Sequence, residues 1–166
     1  MMSRRSFIRA GSAAVLAGVA LQWRAVTAAA PAVAEKFTFM RTDEQWRKML
    51  TPEQYNILRK AGTERPYSSP LNDEHRMGTF ACAGCEQALF SSNTKFDSGT
   101  GWPSFWQPLP NAVVTSTDST LGMVRSEVHC KNCGGHQGHV FDDGPKPTGL
   151  RYCMNGLSMK FNVAKT

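Results

Sequence analysis

The sequence predicts a mainly β, antiparallel domain with short helices at its head, and three observations carry that expectation. From Gly78 onward the chain breaks into short runs separated by Gly, Pro, Asn and Asp, the punctuation of strands joined by tight turns. Two of these runs alternate with period two, Val124-Ser126-Val128 and Leu157-Met159-Phe161-Val163, as half-buried strands do. Ahead of them stand two helix-opening signals less than ten residues apart. The 166 residues, 41% hydrophobic and 19% charged with 14 Gly and 9 Pro, exclude disordered, collagenous and low-complexity classes.

The first 34 residues contain Arg4, Arg5, Arg9 and Arg24 and no acid. A basic start, a mild Ala/Val/Leu middle and the small residues of TAAAPAVA have the layout of a secretory signal. The pair Arg4-Arg5 between Ser3 and Ser6-Phe7-Ile8 resembles a twin-arginine signal, a kind that exports proteins already folded. Residues 1–34 are therefore expected to be removed, leaving residues 35–166 as one domain in a bacterial periplasm. An amphipathic helix is the competing reading, but its apolar face would be mostly Ala and Gly, which bury little area. The longest uncharged N-terminal run, Ala10 to Trp23, has fourteen residues, short of the roughly 20 that a spanning helix needs. No stable membrane insertion is expected once the signal is cleaved.

The formal charge of +6 points to no nucleic acid. Without the four N-terminal arginines the body has 15 basic and 13 acidic residues, and a nucleic-acid binder needs a basic face on the domain itself. The expected oligomeric state is a monomer.

The helices come first. Thr42 with Gln45 forms a capping box that opens a helix running to Leu50. Thr51 with Gln54 repeats the device with Pro52 at the first helical position, and Gly62 closes that second helix after Ala61. Toward the C-terminus, Asn155-Gly156 between Arg151-Tyr152-Cys153 and the last strand is a two-residue hairpin signal, because both residues tolerate positive φ.

Five cysteines punctuate the body: Cys82 and Cys85, Cys130 and Cys133, and Cys153. Two C-x-x-C turns facing each other can complete the tetrahedron that Zn²⁺ prefers. Ala83-Gly84, Asn132 and Gly134-Gly135 permit tight turns whose N–H groups can bond thiolates. In an exported protein four cysteines also read as two disulfides. Bridges within a C-x-x-C, however, close loops too short to stabilise much. The reading favoured here is one structural Zn²⁺, loaded before export. Cys153 has no such partner, so its thiol is either buried and inert or used in chemistry. His136 and His139, three residues apart, can polarise a thiol, hold a water or donate a proton, or can serve as structural imidazoles.

Four blocks stand out in order: Cys82-Ala83-Gly84-Cys85, the run from Phe96 to Phe105, the run from Cys130 to Phe141, and the run from Gly144 to Asn155. Together they resemble the B type of peptide methionine sulfoxide reductase. The resemblance covers about Phe37 to Val163. It implies two twisted antiparallel sheets with short N-terminal helices, a zinc held by Cys82, Cys85, Cys130 and Cys133 away from the reaction, and a nucleophile at Cys153. The implied substrate is methionine-R-sulfoxide in oxidised proteins or peptides, reduced to methionine.

The chemistry agrees with the residues. A thiolate attacks the sulfoxide sulfur while the oxygen must gain protons, so the site needs an activated Cys, an acid and donors at the oxygen. Cys153 is the expected attacker, His139 and His136 hold and transfer protons, and Asn155 donates its amide or orients a water. Arg151 adds potential favouring the thiolate if the strand is regular, and Trp102 offers a ring face to the methyl beside the S=O group.

One position departs from the resembled pattern. Many members carry a resolving cysteine between the two glycines before the Trp, and here that residue is Thr100. A sulfenic acid on Cys153 would then require an external thiol, whether a thioredoxin-like protein, a glutaredoxin or a small thiol. Two rival classes are a zinc-stabilised binding module, which has no use for Cys153, His139 and Trp102 together, and a C-x-x-C oxidoreductase, for which the following βαβ pattern is missing.

Overall fold

The computed structural model describes residues 37–165. The expected signal segment lies outside the described residues. Both capping boxes form. Helix α1 (Asp43–Met49) is capped by Thr42 and Gln45, and α2 (Pro52–Lys60) by Thr51 and Gln54 with Pro52 in the first turn. The left-handed residue that ends α2 is Ala61, at φ 53°, and not the neighbouring Gly62. Nine strands follow: β1 (Gly78–Cys82), β2 (Ala88–Ser91), β3 (Lys95–Phe96), β4 (Ser104–Phe105), β5 (Val113–Asp118), β6 (Arg125–Cys130), β7 (His136–Phe141), β8 (Arg151–Met154) and β9 (Met159–Val163). Among the described residues no helix is long and apolar enough to cross a membrane.

The strands form two antiparallel sheets, as the sequence predicts. One has the order β2-β1-β9 and the other β3-β4-β8-β7-β6-β5. Aromatic rings glue them. Phe80 and Phe90 face each other across β1 and β2, Phe105 and Tyr152 across β4 and β8, and the Phe90 and Phe105 rings stack at 4.4 Å. Phe80 meets Phe105 edge-on at 4.9 Å. Phe80, Phe90 and Phe105 are fully buried, and burying each such side chain is worth about 1.5–3 kcal/mol.

The expected Asn155-Gly156 hairpin does not form. Asn155 sits at φ −68° and the chain enters a 3₁₀ turn at Gly156–Ser158, after which β9 pairs with β1 rather than with β8. The Glu64 carboxylate takes the N–H of Gly156 at 2.6 Å and of Leu157 at 2.8 Å, which turns the chain out of one sheet and into the other. Gly156 is needed for space instead of for positive φ, since a Cβ there would lie 1.9 Å from the Ser69 Oγ.

Candidate active site

Alternation along β8 sorts its residues. Met154 and Tyr152 turn toward the core, where Tyr152 meets Phe90, so Arg151 and Cys153 occupy the opposite face. Cross-strand register extends that face sideways: Cys153 pairs with Ser104 on β4 and with His139 on β7, His139 with Glu127 on β6, and Glu127 with Ser116 on β5. Asp118 and Arg125 pair one step along. A polar row thus crosses the outer face of a sheet whose inner face is aromatic.

His136 and His139 would point to opposite faces of a regular strand, being three residues apart. They do not, because the β6–β7 pairing carries a bulge: Gly138 pairs with Val128, but His136 pairs with His129. The extra residue, Gln137, is fully buried, and the two imidazole rings lie 5.5 Å apart. Gly138 allows the close approach of β7 to β8. At φ +155° its missing Cβ would sit 2.1 Å from the Cys153 carbonyl oxygen.

Cys153, His139, Asn155 and Trp102 line one cleft of about 220 Å³, with Phe141 and Arg125 in its wall. His136 stands behind this wall. It is 3% exposed, its Nδ1 bonds Glu127 Oε1 at 2.6 Å, and burial pushes its pKa below the usual imidazole value despite the Glu127 carboxylate. His139 Nε2 meets Asp118 Oδ2 at 2.9 Å. The Asn155 side chain braces the cleft: Oδ1 accepts the Glu64 N–H at 3.0 Å and Nδ2 donates to Gln137 O at 3.2 Å. One of its two amide hydrogens is therefore committed to the fold. Trp102 Nε1 donates to Glu64 O at 3.2 Å, which fixes the indole at the cleft it lines.

On its other side Cys153 meets hydroxyls. Thr100 Oγ1 lies 3.7 Å from the Cys153 sulfur, Ser98 Oγ bonds Thr100 Oγ1 at 2.8 Å, and Ser98 Oγ bonds Ser104 Oγ at 2.7 Å. Arg151 forks onto Asp143 with two bonds of 2.8 Å and lies over the Phe141 ring at 4.4 Å. The expectation that Arg151 favours the thiolate holds in direction but does not win. Burial pushes the Cys153 thiol above its ordinary value, and Thr100, Arg151 and Ser104 offset this only in part. Burial thus favours the protonated thiol at Cys153.

The remaining cysteines converge elsewhere. All five are free thiols. The sulfurs of Cys82, Cys85, Cys130 and Cys133 all lie within 4.8 Å of one another, with Cys82–Cys133 at 3.7 Å and Cys85–Cys130 at 3.5 Å. A tetrahedron of Zn–S bonds near 2.3 Å has edges of about 3.8 Å, so the donor set fits Zn²⁺. The two turns share one design. Cys82 N–H bonds Gln87 O and Glu86 N–H returns to Cys82 O; Cys130 N–H bonds Gly135 O and Gly134 N–H returns to Cys130 O. The left-handed residue is Glu86 in the first turn and Gly134 in the second. Gln137 Nε2 adds a bond to the Cys82 sulfur at 3.5 Å.

Sequence reasoning missed Glu64, Asp118, Arg125, Glu127 and Gln137. Glu64 is 8% exposed and holds Trp102, Asn155 and the turn after it, yet its segment Thr63-Glu64-Arg65-Pro66 shows no motif. A signal did exist for the bulge, because a glycine inside a strand run marks one, and Gly138 between the two histidines is such a glycine.

The SelR domain family matches residues 50–163. A peptide methionine sulfoxide reductase MsrB of Agrobacterium fabrum is 58% identical over 122 residues, 73% of this chain and 90% of that protein. One from Leptospira interrogans is 56% identical over 122 residues, 73% of this chain and 93% of its own. One from Methanosarcina barkeri is 52% identical over 124 residues, 74% of this chain and 87% of its own. Nine strands in two sheets, a sulfur tetrahedron and a lone fifth cysteine opposite a histidine all fall inside the matched span, and the chain belongs to the SelR-domain family of MsrB proteins.

Proposed function

We propose that this chain reduces methionine-R-sulfoxide in oxidised proteins and peptides to methionine, with Cys153 as nucleophile and an external thiol as reductant. The relatives named above are methionine sulfoxide reductases. The observation that carries the reading to these residues is the pairing of Cys153 with His139 in one cleft under Trp102. The other four cysteines are accounted for by a separate cluster.

The step balances without an added proton. The Cys153 thiol gives its proton to His139, the thiolate attacks the sulfoxide sulfur to form a transient S–S bond, and His139 passes the proton to the sulfoxide oxygen. The oxygen then moves to the Cys153 sulfur as a hydroxyl while the S–S bond breaks and its electron pair returns to the methionine sulfur, so that one S–O bond is exchanged for another and the products are a sulfenic acid and methionine. An external thiol then attacks the Cys153 sulfur, expelling water and leaving a mixed disulfide. A second thiol frees Cys153. His139, on the cleft wall, is the proton carrier, while buried His136 supports it from behind. Phe141 and the Trp102 ring receive the methyl and methylene groups. Cys82, Cys85, Cys130 and Cys133 would hold a Zn²⁺ that ties the ends of β1 and β6 together and takes no part in the reaction.

The same proposal places the protein in a bacterial periplasm as a monomer after twin-arginine export. Arg4-Arg5 and the small residues before Glu35 support that. The test is incubation of the zinc-loaded 35–166 chain with each epimer of a methionine sulfoxide peptide plus dithiothreitol. Conversion of the R epimer alone is expected. Conversion of the S epimer, or of neither, would overturn the proposal.

A further inference from the structure

We infer that Asp118 is a positioning residue that holds His139 in the tautomer protonated at Nε2, leaving Nδ1 as the nitrogen that accepts and returns the reaction's proton. The inference rests on the proposed reaction and adds to it a residue that touches neither substrate nor nucleophile. Asp118 ends β5, in register with Arg125 on β6 and separated from Cys153 on β8 by the two intervening strands β7 and β6.

Three donors fix its carboxylate. The Thr120 N–H reaches Asp118 Oδ1 at 2.9 Å, Arg125 Nη2 reaches Oδ2 at 2.7 Å, and His139 Nε2 lies 2.9 Å from that same Oδ2. The Thr120 bonds, with those of His139 and Arg125, hold its pKa well below the usual carboxylate range. A carboxylate only accepts, so His139 Nε2 must carry the hydrogen. In the neutral imidazole the other nitrogen then carries the lone pair. The neighbouring histidine is set the opposite way. Glu127 Oε1 takes the His136 Nδ1 hydrogen at 2.6 Å, and His136 Nε2 is buried with no hydrogen-bond partner among the described residues. Two carboxylates on adjacent strands thus impose opposite tautomers on two histidines whose rings are 5.5 Å apart.

The consequence for the reaction is specific. A His139 protonated only at Nδ1 could not take the thiol proton through that nitrogen, and its Nε2 is turned to Asp118. With Nε2–H fixed, the thiol proton moves from the Cys153 sulfur to Nδ1 and from Nδ1 to the sulfoxide oxygen. Asp118 remains a carboxylate throughout and stabilises the transient imidazolium. The other ionisable groups on this face are Arg125, bonded to Asp118, Glu127, bonded to His136, His129, which meets Ser116 Oγ at 2.9 Å and lies 3.4 Å from Glu127, and Arg151, bonded to Asp143.

The experiment uses the zinc-loaded chain labelled with ¹⁵N and reads the histidine tautomers by two-bond ¹H–¹⁵N correlation. Native His139 is expected as Nε2–H when neutral and native His136 as Nδ1–H. In Asp118→Asn the carboxamide oxygen can still take the Thr120 N–H, which presents the NH₂ group to His139. The tautomer should flip to Nδ1–H, with kcat falling about a hundredfold and KM unchanged. A native His139 protonated at Nδ1 overturns the inference without any substitution. So does a folded Asp118→Asn protein whose kcat matches the native value. Failure of the native protein to reduce either epimer would instead sink the proposed function, and the tautomer measurement is read independently of it.

Discussion

Thr100→Cys is expected to install an internal route for resolving the oxidised nucleophile. The Thr100 hydroxyl lies 3.7 Å from the Cys153 sulfur. A disulfide needs about 2.05 Å, so the two sulfurs must close by roughly 1.7 Å. The loop has room to give, because Thr100 is flanked by Gly99 at φ +69° and Gly101 at φ +88°, and a Cβ on Gly99 would meet nothing within 4 Å. Tyr67 resists the movement. Its N–H bonds Gly101 O at 2.7 Å and its hydroxyl bonds Gly99 O at 2.7 Å. The bridge would span a sequence separation of 53 residues, worth about 4 kcal/mol in chain entropy. Losing both Tyr67 bonds costs about 2 kcal/mol, which leaves a net gain near 2 kcal/mol, or a rise of about 4–8 °C in Tm for the oxidised variant. The assay is intact-mass and peptide mapping after one equivalent of sulfoxide without reductant, followed by melts of the oxidised and reduced forms. The variant should show a 100–153 disulfide and prefer a dithiol reductant, while the native protein shows a trappable sulfenic acid on Cys153. A folded variant that leaves the sulfenic acid and forms no bridge refutes the geometry. A native protein that bridges Cys153 to a zinc-site cysteine refutes the one-cysteine mechanism.

Cys153→Ser should abolish turnover and keep zinc and fold, since an alcohol is a poor nucleophile without a dedicated base; more than a few per cent residual activity would contradict this. Cys82→Ser or Cys130→Ser should lose zinc and melting temperature together, because the metal's binding energy is folding energy, and metal analysis paired with a thermal melt decides it. Glu64→Gln keeps one acceptor oxygen where Gly156 and Leu157 present two N–H groups, so about 1–3 kcal/mol of stability should be lost in urea unfolding, with a raised KM from the loosened Trp102 and Asn155. Burial raises the Cys153 pKa above 9.0, so alkylation of this thiol should keep accelerating above pH 9.0. The stability that its buried protonated form contributes should fade as pH rises through the folded pKa. Burial lowers the His136 pKa below 6.5, so its contribution is present above that value and lost as the unfolded chain gains a proton at lower pH. A His136→Asn protein whose acid unfolding is no flatter than the native would contradict the burial argument.

Local rules read the helices because those rules act within four residues. Thr42 with Gln45 and Thr51 with Gln54 are caps wherever they stand, and both formed. The same locality misled at Asn155-Gly156. Turn propensity favours a hairpin there, but a carboxylate some 90 positions away, Glu64, takes the turn's N–H groups and sends β9 to the other sheet. Nothing within reach of the dipeptide encodes that contact. The cysteine cluster was legible for the opposite reason. Metal ligation demands a residue type and a spacing that few other roles demand, so the pairs Cys82/Cys85 and Cys130/Cys133 announce themselves even with 44 residues between them.

The cleft at Cys153 lies between these cases. Cys153 stood out by elimination and His139 by its neighbours, but their partnership depends on register, which no local pattern states. Whether His136 and His139 share a face turns on a single extra residue in β7. Without the bulge at Gln137, one imidazole would point toward the aromatic core, and Glu127 could not serve it. With the bulge, the displaced Gln137 points inward and reaches the Cys82 sulfur. A single irregularity therefore places a second histidine on the face that carries Cys153 and a hydrogen-bond donor beside the four-cysteine cluster. Asp118 was invisible for the same reason: an aspartate at the end of a run of Val, Thr and Ser reads as a solvated strand end. Its meaning appears only when β5, β6 and β7 are laid side by side and its carboxylate falls within reach of an imidazole 21 residues further on.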